Sequence, residues 1–116
     1  MQISDIRPGM TKINIKARVL SKDFPRSVRS KKGRTLRVCE AILGDKSGRI
    51  TLTLWQKTIF IVNVDQVIEI KNGYASEYQG ITKLTLGRNG TLEIVDDPSF
   101  PAIHDLLKDL RENIQP

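Results

Sequence analysis

The sequence predicts an all-β domain: a small barrel of about five short strands, followed by one C-terminal amphipathic helix. Three observations carry this. Apolar residues alternate with polar ones in several short segments, the period of a strand with one buried face. Gly-, Asp- and Asn-containing turn signals separate those segments. The period becomes helical only after Pro98, near the end of the 116 residues. A chain of that length is one ordinary domain. Residues 1–96 are expected to form the barrel and residues 97–116 a helical extension.

The elements follow in order. Arg7-Pro8-Gly9 is a turn signal. From Lys12 to Leu20, Ile13, Ile15, Ala17 and Val19 alternate with Lys12, Asn14, Lys16 and Arg18, which gives a half-buried strand. Asp23 to Gly33 holds Pro25, Gly33, two serines and four basic residues, and reads as a long polar mobile loop. Arg34 to Leu43 returns to strand character, with Leu36, Val38 and Ile42 on one parity. Residues 44–48 form a turn. Arg49 to Trp55 is the cleanest strand, with Ile50, Leu52 and Leu54 on one face and Thr51, Thr53 and Trp55 on the other. Gln56 to Val64 is either a short helix or an irregular connection. Val67 to Ala75 is a strand ending at Asn72-Gly73, Ser76 to Gly80 a turn, Ile81 to Leu86 a strand, and Thr91 to Val95 a last short strand. After Asp97-Pro98, Ile103, Leu106, Leu107, Leu110 and Ile114 recur at helical spacing, with Ser99 as N-cap and Pro101 in the first turn. This pattern fits a five-stranded OB-fold barrel, and by periodicity alone also an SH3-like barrel.

Charge is unevenly placed. Residues 12–37 carry ten basic side chains against Asp23 alone, a net of +9, whereas residues 93–116 carry six acids against Lys108 and Arg111, a net of −4. A basic first third within a chain of net charge +6 is the footprint of a polyanion-binding face. The longest apolar run is far too short to span a bilayer. No segment reads as a secretory signal, and one cysteine excludes an internal disulfide or a Cys-rich zinc site. A cytoplasmic setting follows as the expectation. His104 on the helix and the lone thiol of Cys39 on a strand offer no catalytic constellation, so neither catalysis nor a cofactor is expected.

The candidate site is built from aromatics and cations. Trp55 falls on the polar face of its strand, where a large aromatic serves as a stacking platform for bases rather than as core. Tyr74 shares parity with the inward Ile68 and Ile70 unless a bulge at Gly73 flips the register. Tyr78 lies in the expected turn, where burial is disfavoured. Phe24, Phe60 and Phe100 are read as core or staple residues. Arg26, Arg29, Lys31, Lys32, Arg34 and Arg37 supply long basic side chains that reach phosphates, and Thr53, Lys83 and Thr85 complete the surface. Aromatics interleaved with cations on a sheet suit single strands, because a duplex hides its bases.

The segment from Glu40 to Trp55 resembles the hairpin of the second and third strands in simple single-stranded-DNA-binding proteins and archaeal replication protein A OB-folds. Ile6-Arg7-Pro8-Gly9-Met10 and the run from Asn72 to Gly80 are similar to the same family. The resemblance implies an OB-fold over roughly residues 3–95 that binds single-stranded DNA with little sequence preference in replication, recombination or repair. It implies stacking by Trp55, Tyr74 and Tyr78. Some relatives carry a further aromatic where this chain has Thr85. Nucleoid association and replication or repair partners meeting the C-terminal helix are further expectations. An RNA- or tRNA-binding OB module and a protein-interaction barrel are the alternatives.

Overall fold

The computed structural model describes residues 1–107. Five strands close into a ring: β1 (Ile13–Lys22), β3 (Thr35–Asp45), β4 (Gly48–Trp55), β6 (Ile81–Thr85) and β5 (Val67–Tyr78), with β5 returning to pair with β1. All pairings in the ring are antiparallel except β4 with β6. Closure removes the exposed edges that an open sheet of this size would present. Two short strands add to the ring: β2 (Arg26–Arg29) pairs with β3, and β7 (Thr91–Val95) with β5. The expected five-stranded barrel is therefore present. No helix among the described residues is long and apolar enough to cross a membrane.

Alternation determines what fills the barrel. Ile13, Ile15, Ala17 and Val19 of β1 point inward, with Cys39, Ala41 and Leu43 of β3 and Ile50, Leu52 and Leu54 of β4. The parity of Leu36, Val38 and Ile42 is thus the outer one on β3. The core cluster is aliphatic apart from Cys39 and holds no aromatic ring. Leu43, Leu52, Leu54 and Leu84 are buried almost completely, and each contributes about 1.5–3 kcal/mol by leaving water. The segment 56–64 supplies a single helical turn, α1 (Thr58–Ile61), whose Ile59 joins Val62 as a plug. The Cys39 thiol lies within the core, where burial pushes its pKa up, and it donates to the Asp23 carbonyl at 3.2 Å.

Four expectations are corrected. The segment 23–33 is not a plain loop: β2 pairs in register with Thr35 to Val38, and the tip is tied by Ser30 N–H to the Arg34 carbonyl at 2.8 Å. Both faces of β2 meet solvent over much of their area, so its alternation is silent. The strand β5 does not stop at Asn72-Gly73 but runs to Tyr78, and the turn shrinks to Gln79 and Gly80, both at positive φ. That is the backbone a two-residue hairpin turn requires. Phe24 and Phe60 are exposed rather than core, at 92% and 66%, because the small barrel is already filled by aliphatic residues. Ser99 does not cap the helix; its hydroxyl donates to Asp97 Oδ1 at 2.6 Å, and helical backbone begins only at residue 103.

Residues 103–107 are helical and packed on the barrel: Leu106 is buried, and its carbonyl accepts from Arg49 at 2.8 Å. His104 is exposed there. Just upstream, Arg18 donates to the carbonyls of Phe100 and Pro101 at 3.2 and 2.7 Å. The expected helical positions Leu110 and Ile114 lie outside the described residues.

Candidate nucleic-acid interface

The outer face of β3, β4, β6 and β5 carries the candidate residues, and register fixes which of them meet. Trp55 stands opposite Val38, and Thr53 opposite Glu40. On the other side of β4, Thr51 pairs with Lys83. Next to β6, Tyr74 pairs with Thr85, Ser76 with Lys83 and Tyr78 with Ile81. Residues paired across a ladder point to the same side. Trp55, Thr53, Thr85, Tyr74, Lys83 and Tyr78 therefore share one surface.

Each aromatic is placed by a local backbone feature. After Trp55 the chain leaves the sheet through Gln56, at φ +53°. Gln56 is clamped to Arg37 twice: its N–H donates to the Arg37 carbonyl at 3.0 Å, and its Oε1 accepts from the Arg37 N–H at 2.9 Å. This fixes the end of β4 and leaves Trp55 41% exposed. Tyr74 owes its position to a bulge. Ile13 pairs with Gly73 but Ile15 with Ile70, so one extra residue of β5 is accommodated, and Asn72 takes φ +60°. Inward positions accordingly run Ile68, Ile70, Gly73, Ala75, which turns Tyr74 outward. Its ring lies against Gly87, where a Cβ would sit 2.6 Å from Tyr74 Cε1, and Gly87 has φ +68°. Tyr78, the last residue of β5, is exposed, and the Lys83 ammonium lies 5.3 Å from its ring centre, within cation–π range.

Trp55 and Tyr74 flank a groove of about 360 Å³ lined also by Thr53, Thr58, Thr85, Leu86 and Gly87. Its walls are two aromatic faces and its floor carries threonine hydroxyls. A flat ring enters such a space by stacking, with polar edges free to meet the hydroxyls. Thr85 occupies this floor rather than providing a third ring.

The cations divide. Arg26 shares the face of Trp55 through its pairing with Val38 and lies 3.8 Å from Glu40. Arg29 and Arg37 fall on the opposite parity, and Arg37 stacks over the Phe60 ring at 5.8 Å. Lys31, Lys32 and Arg34 stand at the exposed tip of the β2–β3 hairpin, beyond the groove. Sequence reasoning missed Glu40. Its carboxylate sits on the outer face between Arg26 and Lys83, 2.6 Å from the Lys83 ammonium. Its place on the parity of Thr53 was available in principle, but only once the pairing of β3 with β4 is known. Among the described residues no three of His, Cys, Asp and Glu come together as a metal site.

Comparison with known proteins places this geometry. The family described as single-stranded DNA binding protein Ssb-like, OB fold, matches residues 6–94. The chain is 32% identical over 101 residues to the single-stranded DNA binding protein Ssb of Saccharolobus solfataricus, covering 86% of this chain and 67% of that protein. Its fold is similar to the replication factor A related protein of Methanobacterium thermoautotrophicum (TM-score 0.68, 24% identity, 83% and 90% of the two chains). It is also similar to part of a replication protein A heterotrimer bound to single-stranded DNA (TM-score 0.71, 22% identity, 88% of this chain and 26% of that one).

Proposed function

The chain belongs to the Ssb-like, OB-fold family of single-stranded DNA binding proteins, and we propose that it binds single-stranded DNA without enzymatic activity, by stacking bases on Trp55, Tyr74 and Tyr78. The observation that carries this reading is the sharing of one outer face by all three rings, two of them across an open groove. Exposed aromatics are costly to leave in water and gain most when a base covers them. Stacking requires unpaired bases, so a duplex of equal length competes poorly. The hairpin tip with Lys31, Lys32 and Arg34 supplies phosphate contacts, which position a strand without reading it. Recombination, replication or repair, at the nucleoid, is the setting in which such an activity is used.

The test uses the one tryptophan of the chain as reporter. Titration with a pyrimidine oligonucleotide quenches Trp55 emission. Trp55→Ala, followed by anisotropy of a labelled oligonucleotide, weakens binding by about 1–3 kcal/mol, the worth of one stacked base. Unaltered affinity in that variant refutes the stacking role. Equal competition by a matched RNA favours a general single-strand binder, because only contacts to the 2′-hydroxyl separate the two polymers.

A further inference from the structure

The interface carries one acid where a phosphate-binding surface gains nothing from one. Glu40 lies on the aromatic face, opposite Thr53, with its side chain 20% exposed. Lys83 crosses the line of β4 to reach it at 2.6 Å, and Arg26 approaches its other oxygen at 3.8 Å. Lys83 in turn lies under the ring of Tyr78. The Glu40–Lys83 pair thus occupies the surface between the Trp55–Tyr74 groove and Tyr78. A strand whose bases stack on these platforms passes over an acceptor and a donor set side by side.

Building on the single-stranded-DNA reading above, we propose that Glu40 reads bases: its carboxylate accepts a hydrogen bond from an exocyclic amino group and favours cytosine over thymine among the pyrimidines. A carboxylate can take up to about four hydrogen bonds, so the bonds to Lys83 and Arg26 leave capacity for a base. Cytosine offers its N4 amino group as donor, the usual partner of a glutamate, while its O2 and N3 can accept from Lys83. Thymine offers a single N3–H, flanked on both sides by carbonyl oxygens that a carboxylate repels. The two rings are of similar size, so stacking on Trp55 or Tyr74 hardly separates them, and the difference lies at the edge that meets Glu40. Lys83, 2.6 Å from the carboxylate, holds it in place on the outer face and acts as a positioning residue.

The test compares oligo-dC with oligo-dT of equal length, by anisotropy at neutral pH, on the full chain and on Glu40→Gln and Glu40→Ala. Removing a negative charge from the path of the phosphates tightens both complexes, so the readout is the ratio of the two dissociation constants. The proposal expects the preference for dC, read as the Kd for dT divided by the Kd for dC, to fall about tenfold in Glu40→Ala, the worth of one hydrogen bond to a charged group at its lower bound, and by less in Glu40→Gln, whose amide oxygen still accepts a hydrogen bond. A ratio unchanged while both oligomers bind more tightly shows that Glu40 is only a counter-ion for Lys83 and Arg26, and overturns the proposal. Failure of the parent chain to bind either oligomer overturns the single-stranded-DNA reading itself, and the proposal with it.

Discussion

Salt dependence separates the total basic charge from the charge that faces a bound strand. A single strand that loses counterions at each contacted phosphate gives a log–log slope near −0.7 per contact. If all ten basic residues between Lys12 and Arg37 touched phosphate, the slope would approach about −7. The structure assigns several of them elsewhere. Lys16 pairs with Asp97, Arg18 holds Asp65 and the carbonyls of Phe100 and Pro101, and Lys22 donates to the Ile59 carbonyl. Arg26 approaches Glu40 and Arg37 covers Phe60. Of the five that remain, Lys12 lies apart from the hairpin, while Arg29 at the end of β2 and Lys31, Lys32 and Arg34 in the tip that follows lie together; none of these has a carboxylate within ion-pair distance among the described residues. Four contacts give a slope of roughly −3. Reversing Arg29, Lys31 and Lys32 to Glu removes three, and the slope falls to about −1, with binding weakened alike for every sequence. The assay is anisotropy of a labelled oligonucleotide across a salt series, for both proteins. A slope near −7 in the parent refutes the assignment of Lys16, Arg18 and Lys22 to structural roles. A slope that the triple reversal leaves unchanged shows the hairpin tip to be merely solvated.

Two more outcomes are expected. Gly87→Ala forces a methyl into the Tyr74 ring at 2.6 Å and strains a backbone at φ +68°; it costs more than about 1 kcal/mol of stability and weakens oligonucleotide binding, and a variant matching its parent in melting temperature and affinity would show that the contact is not made in solution. Asp97 accepts from Ser99 and from Lys16, and these bonds, the Ser99 hydroxyl first, hold its carboxyl below the ordinary range; its stabilisation is therefore complete above about pH 4 and is lost as pH falls through the lower folded value, so the small difference in melting temperature between the parent and Asp97→Asn should shrink below that pH, and a difference that grows with acid contradicts the sign.

What the sequence disclosed depended on whether a strand has one wet face. In β4, Ile50, Leu52 and Leu54 are buried while Thr51 and Thr53 are only partly so and Trp55 is exposed, so the pattern and the outward position of Trp55 were both legible. β2 was not, because Arg26, Ser27 and Arg29 are exposed and only Val28 is partly covered. Its pairing comes from the overhanging edge of β3, a non-local cause with no local trace. The phenylalanines misled for a related reason: hydrophobicity predicts burial on average, but a five-stranded barrel lined by Ile, Leu, Val and Ala has no space for more rings. Glu40 lay hidden because its meaning depends on Lys83, 43 positions away. The C-terminal period was read correctly in kind at 103–107, though the start lies later than Ser99 because Asp97 engages that hydroxyl.

The aromatic face exists because the backbone departs from regular pleating where it must. Side chains of a strand alternate strictly, so a one-residue slip moves every later side chain to the other face. Without the extra residue at Asn72, Tyr74 would continue the parity of Ile68 and Ile70 into an interior where both are fully buried. Gly73 then takes the inward place, with room for no side chain at ease: a Cβ there would meet Ile70 Cγ2 at 3.1 Å and the Thr85 carbonyl at 3.3 Å. The bulge costs ladder regularity, and in return Tyr74 stands outward beside Thr85, across the groove from Trp55. The barrel wall and the stacking face are therefore built by the same residues. Replacing Gly73 by a larger side chain presses on Ile70, Leu84 and the β6 backbone from within, and it disturbs Tyr74 from the side that no base touches.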